Sequence, residues 1–159
     1  MNWMKCALFS LLLLSGLAFG QGLSGRSSGQ LLYLPIYSHI WHGDIDSNGQ
    51  AVKTLVSVLV SIRNTDASRP MQVTSARYFD TDGKRLREYI PSPRTIGPMG
   101  TYEFFIPRSD DTGGSGANFV IAWKSNSGVN PPVVEAVHAN LPTGRSIAFV
   151  TSARQILAD

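Results

Sequence analysis

Val56-Ser57-Val58-Leu59-Val60-Ser61-Ile62-Arg63 decides the fold class. Val56, Val58, Val60 and Ile62 are β-branched and two apart, a spacing that puts them on one face of a strand. Ser57, Ser61 and Arg63 go to the other face, with Leu55 and Leu59 among them. Such alternation fits a sheet that is covered on one side.

The same period continues along the chain. Residues 71–79 read as a strand, Asp80-Thr81-Asp82-Gly83 as a turn, and residues 84–90 as the returning strand. Gly83 can take positive φ without a Cβ clash, and the aspartates can bond nearby amides. Pro91, Pro93, Gly97, Pro98 and Gly100 mark a connection. Tyr102, Phe104 and Ile106 alternate up to Pro107, and Phe119, Ile121 and Trp123 alternate after a Gly-rich stretch at 110–116. Residues 133–138 and 146–151 supply two more short strands around Leu141-Pro142-Thr143-Gly144. No amphipathic helix and no internal repeat is found. About eight short strands with turn signals between them predict an all-β fold, an immunoglobulin-like antiparallel β-sandwich.

Ahead of this domain the pattern changes. Lys5, an apolar run from Ala7 to Phe19, and the small residues of Ala18-Phe19-Gly20 have the layout of a secretory signal peptide, too short for a membrane span. Residues 1–20 are therefore expected to be cleaved, 21–30 to form a flexible lead-in, and 31–159 a single sandwich domain. The expected location is outside the cytoplasm, periplasmic or secreted, and soluble. Cys6 is the sole cysteine, so no disulfide is expected and the core must hold the domain together. A mature chain of about 140 residues buries roughly two-thirds of its unfolded surface, enough for that. Leu14-Ser15-Gly16-Leu17 has Leu17 where a lipoprotein would carry its acylated cysteine, and Leu141-Pro142-Thr143-Gly144 falls one residue short of a wall-sorting signal, so no anchor is expected. The net charge of +3 is spread along the chain and is densest at Lys84, Arg85 and Arg87. Nucleic-acid binding needs a clustered stripe. These residues read instead as charges that keep an exposed strand from pairing with another chain, and no nucleic-acid partner is expected.

Four segments, in this order and spacing, resemble an exported bacterial family known as domain of unknown function 3124. They are Leu32-Tyr33-Leu34-Pro35-Ile36-Tyr37-Ser38-His39-Ile40, Ser61-Ile62-Arg63-Asn64-Thr65-Asp66, Tyr78-Phe79-Asp80-Thr81-Asp82-Gly83-Lys84 and Gly113-Gly114-Ser115-Gly116-Ala117-Asn118-Phe119. The resemblance runs from about Leu31 to Ser152. It implies export and one compact domain, and it brings no reaction, cofactor or catalytic residue.

Candidate sites follow from side-chain chemistry. As one regular strand, residues 32–41 would place Tyr33, Pro35, Tyr37, His39 and Trp41 on one face, and Leu32, Leu34, Ile36 and Ile40 on the other. Pro35 lacks an amide hydrogen, which points to an edge strand or a bulge. An outward aromatic row at Tyr33, Tyr37, His39 and Trp41 could dock a protein or stack on a glycan. Asp44-Ile45-Asp46-Ser47-Asn48-Gly49 fits the first half of a calcium loop, with Asp44, Asp46 and Asn48 as ligands. Its closing glutamate position is Leu55, so no metal site is expected. His39 and His42, three apart on a strand, point to opposite faces and do not form a zinc pair. Gly113-Gly114-Ser115-Gly116-Ala117 approaches a nucleophile elbow but has Ala117 in place of the last glycine, and a strand rather than a helix follows. The expected function is an exported, non-catalytic binding module without cofactors, contacting an envelope protein or glycan through the aromatic row. The alternatives are a hydrolase or metal-dependent enzyme centred on residues 110–118, in which Ser115, His138 and an aspartate would converge, and a structural subunit of an envelope assembly.

Overall fold

The computed structural model describes residues 25–157. Within them the chain is all β. Its strands are β1 (Ser27–Pro35), β2 (His39–His42), β3 (Val52–Leu55), β4 (Ser57–Arg63), β5 (Met71–Phe79), β6 (Arg85–Glu88), β7 (Arg94–Ile96), β8 (Thr101–Ile106), β9 (Asn118–Val129), β10 (Val133–Asn140), β11 (Ile147–Ser152) and β12 (Arg154–Ile156). A six-stranded sheet runs β12-β1-β9-β5-β6, with β7 also paired to β5. A four-stranded sheet runs β11-β10-β4-β8, and β2 with β3 forms a separate hairpin. All pairings are antiparallel.

The two large sheets pack face to face through the side chains that the two-residue period selects. Leu32, Leu34, Ala76, Tyr78, Phe119 and Ile121 come from one sheet, and Val58, Val60, Ile62, Ile106, Val134 and Ala136 from the other. Fully burying one such aliphatic or aromatic side chain contributes about 1.5–3 kcal/mol, so this shared interior holds the sheets together without a crosslink. The expected antiparallel sandwich is therefore what the chain forms, and its immunoglobulin-like label extends no further than this layered architecture.

Several elements differ from the sequence reading. The first strand begins at Ser27, four residues ahead of the expected domain start at Leu31, because Gly29 and Gln30 pair with Lys124 and Trp123 on β9. A Cβ at Gly29 would lie 2.8 Å from the Trp123 carbonyl, so the missing side chain permits that approach. Residues 1–20, expected to form a signal peptide, lie outside the described residues, as does the start of the lead-in. β1 is not an edge strand, since β12 and β9 flank it. Pro35 is tolerated because the last pair with β12 is Tyr33 with Arg154, so its nitrogen faces no ladder partner. β6 does lie at a sheet edge, with Arg85 and Arg87 exposed on it, as a guarded edge requires.

Turns are set by side chains. Asp80 Oδ1 accepts the amides of Asp82 at 3.0 Å and Lys84 at 2.8 Å, while Gly83 has φ of 80°. At the opposite end of the sandwich, buried Asn64 donates through Nδ2 to the carbonyls of Arg69, Ile96 and Gly97 at 2.8, 3.2 and 2.9 Å. Buried Asp66 accepts the amides of Ser68 and Arg69, both at 3.0 Å, and that of Asn130 at 3.3 Å. The Ser68 amide, first among these donors, holds its carboxyl below the usual range.

Candidate functional site

The four residues of the expected aromatic row do not share a face. Tyr33 stands on the outer side of the six-stranded sheet, since its neighbours Leu32 and Leu34 point inward. Beyond Pro35 the chain leaves the ladder. The Ile36 amide still reaches the Ala117 carbonyl at 2.8 Å, but the Tyr37 amide donates to His138 Nε2 at 3.1 Å and the Ser38 amide to Gly114 O at 2.9 Å. Tyr37 packs edge-on against His138 and Phe149, with ring centroids 5.7 and 5.6 Å away. His39 is buried, edge-on to Trp41 at 5.2 Å, and its Nδ1 has no partner. Tyr33, 36% exposed, and Trp41, 50% exposed, remain open to solvent, but on different sheets. A break in the strand, invisible to a strict two-residue period, scatters the row.

The β2–β3 hairpin pairs His39 with Leu55 and Trp41 with Lys53 on one face, and Ile40 with Thr54 and His42 with Val52 on the other. The first face meets the Gly-rich loop, where Lys53 Nζ donates to Asp111 Oδ2 at 2.9 Å. That lysine keeps the Asp111 carboxyl below its ordinary range, while burial and the same lysine lower the His39 pKa. The second face borders a groove of about 510 Å³, closed on its far side by the end of β10 and the turn into β11. His42 Nε2 and Thr54 Oγ1 share a 2.8 Å hydrogen bond in its wall. Asn140 fastens the two hairpins by donating to Leu55 O at 2.9 Å.

The outer face of the four-stranded sheet carries a second feature. Val150 pairs with Val137, Val137 with Leu59, and Leu59 with Phe105. These four side chains therefore form one row across all four strands. Val150 and Phe105 are each 55% exposed and Val137 is 37% exposed. The row beside it is polar, with Glu135, Ser61 and Glu103 in register; Ser61 Oγ donates to Glu103 at 2.6 Å and Arg63 pairs with Glu135 at 2.6 Å.

The Gly-rich loop is held by packing. The Thr81 amide and hydroxyl donate to Gly113 O at 2.9 and 3.1 Å, and the Gly116 amide donates to Thr81 Oγ1 at 3.0 Å. A Cβ at Gly113 would overlap the Tyr78 hydroxyl, which shares a 3.1 Å hydrogen bond with buried Ser38. Asp110 accepts from Thr112 Oγ1 at 2.6 Å and lies 3.6 Å from Arg87. Ser115 and His138 share no hydrogen bond. His138 is fully buried, its Nε2 is taken by Tyr37, and its ring stacks on Phe149 at 4.5 Å. Burial lowers its pKa to about 4.

Residues 29–156 match the family described as protein of unknown function (DUF3124). The chain belongs to that family. No curated protein matches it. A solved structure described as the crystal structure of Thermotoga maritima 1070 is similar at 11% identity and a TM-score of 0.43, covering 79% of this chain and 92% of that one. Three of the four segments quoted above for the DUF3124 resemblance meet at one end of the sandwich, through Ser38, Tyr78, Thr81 and Gly113–Gly116, and the fourth supplies the Asn64 and Asp66 latch at the other. Their observed contacts hold loops onto the sheets.

The calcium-like run of this DUF3124 chain is a turn. Asp46 Oδ1 accepts the amides of Asn48 at 2.9 Å and Gln50 at 2.8 Å, and Gly49 has φ of 77°. Among the described residues, no three His, Cys, Asp or Glu side chains gather where a metal ion could sit. His39 and His42 point to opposite faces of the hairpin, as their spacing requires. None of the row Val150, Val137, Leu59 and Phe105 was singled out from the sequence. The signal was there in Val58-Leu59-Val60, Phe104-Phe105-Ile106 and Phe149-Val150, where an apolar residue occupies the position that clean alternation reserves for a polar one.

Proposed function

We propose that this chain is an exported, non-catalytic interaction module that docks onto another protein of the cell envelope through the outer face of its four-stranded sheet. The observation that carries this reading is the in-register row Val150, Val137, Leu59 and Phe105, a continuous apolar band on a surface that sheet packing leaves uncovered. Contiguous exposed apolar surface rimmed by polar groups marks interaction sites, whereas single exposed apolar residues do not. The Glu135, Ser61 and Glu103 row supplies such a rim. The non-catalytic part is supported by the 110–118 loop, whose Asp110, Asp111 and Gly116 polar groups are engaged with Thr112, Lys53 and Thr81. Export is supported by the layout of residues 1–20.

The test is capture from native envelope extract by the purified protein, beside a Val137→Glu/Phe105→Glu version shown by circular dichroism to keep its fold. A partner captured by the parent and lost by the double variant is expected. Equal capture by both would remove this face from the interaction. Sedimentation of the parent alone identifies the occupant as a second copy if it dimerises and the variant does not.

A further inference from the structure

The groove between the β2–β3 hairpin and the β10–β11 turn is separate from that sheet face, and its lining specifies a ligand. Ile40, Val52, Pro142 and Ile147 make it mainly apolar, and its volume of about 510 Å³ lies within the range of roughly 300–1,000 Å³ that small-molecule sites occupy. Arg145 is the one permanently charged residue on its wall, and no aspartate or glutamate lines it. Among the described residues Arg145 forms no ion pair. A guanidinium is always charged and presents paired donors that match the two oxygens of a carboxylate. The apolar wall rejects a ligand that is polar throughout, and one cation without a partner favours a single negative charge at one end. The hairpins that frame the groove are fixed to each other by the Asn140 to Leu55 bond, and Arg108 donates to Asn140 Oδ1 at 3.3 Å from behind. These bonds fix the Asn140 end of the groove, which reduces the ordering cost of binding there.

We propose that this groove binds a small amphipathic carboxylate, an acyl chain lying against Ile40, Val52 and Ile147 with its carboxylate on Arg145.

Isothermal titration of the purified protein with decanoate, kept below its micelle concentration, tests this directly. 1-Decanol and decyltrimethylammonium serve as uncharged and cationic counterparts of the same chain. Decanoate is expected to bind at least about tenfold more tightly than either, a difference of about 1.4 kcal/mol. Arg145→Ala should weaken decanoate about tenfold and leave decanol unchanged, since Arg145 is exposed on a turn. Val52→Glu, on the exposed edge of the hairpin, should weaken both by introducing a charge into the apolar wall. No heat from decanoate, equal binding of all three ligands, or full decanoate affinity in Arg145→Ala would each overturn the assignment.

Discussion

His138 is a residue whose chemistry sets a pH limit on the fold. It is fully buried, accepts the Tyr37 amide and stacks on Phe149. Burial lowers its pKa from 6.5 to about 4, so between those values the unfolded chain takes up a proton that the folded chain refuses. Stability from this site is complete above pH 6.5 and falls as pH drops toward 4, by on the order of 3 kcal/mol at the lower end. The carboxyls of Asp46, Asp66 and Asp111, held low chiefly by the Gln50 amide, the Ser68 amide and Lys53, give up their contributions only below 3.8, a separate window. Thermal melts of the parent from pH 7 to pH 4 should therefore show a decline that His138→Gln reduces, the remainder including His39, whose pKa burial also lowers; parallel curves would refute the assignment to His138. The sequence placed this histidine on a strand but could not show that its partner is the amide of Tyr37, 101 positions away. Gly113 is a second such case. A Cβ there meets the Tyr78 hydroxyl and lies 2.8 Å from Ala117 Cβ, so Gly113→Ala should destabilise by about 1–3 kcal/mol, as overpacked sites do. Removing the hydroxyl with Tyr78→Phe should relieve part of that strain, making the double variant more stable than the sum of the single losses. Strict additivity in urea melts would show that the two do not touch.

At the scale of elements, local chemistry was legible and chain breaks were not. The hairpin of β5 and β6 follows from Asp80-Thr81-Asp82-Gly83 because its turn is closed by its own side chains. The segment from β1 to β2 misled because Tyr33, Tyr37, His39 and Trp41 keep a two-residue period while the backbone changes partners after Pro35. Period alone gives the faces of a strand and not the point where its ladder stops. The short strands β7 and β12 were missed for a related reason: three residues each are too few to show a period, and they exist only through pairing with β5 and β1. The same dependence on distant partners makes Asn64 a sensitive position. Its amide joins the turn after β4 to the connection after β7 through three carbonyls. Asn64→Ala leaves buried acceptors without donors and should cost about 1–3 kcal/mol. Because the Met99 amide bonds Asp66 O in the same latch, its hydrogen exchange should accelerate more than that of the β9 amides. A uniform change across both regions would mean that Asn64 acts on global stability rather than on the latch.

At the scale of the molecule, each of the two large sheets turns one face to the shared core and the other away from it. In the four-stranded sheet this division separates Val58, fully buried, from Val150, 55% exposed in the outer row. One substitution made on each face measures the division. Threonine keeps the β-branched shape of valine, so strand propensity changes little and the hydroxyl dominates the effect. At position 58 that hydroxyl enters an apolar interior, where a polar group without a hydrogen bond costs about 1–3 kcal/mol. At position 150 it faces solvent, and Val150→Thr should stay within about 0.5 kcal/mol of the parent. Urea midpoints of the two variants should separate accordingly, with Val58→Thr clearly lower. Because Val150→Thr keeps the fold while making the row less apolar, it should also weaken the proposed capture of an envelope protein. Similar losses of stability at both positions would mean that the outer face is covered within the protein itself, and the row could not then serve as a docking surface.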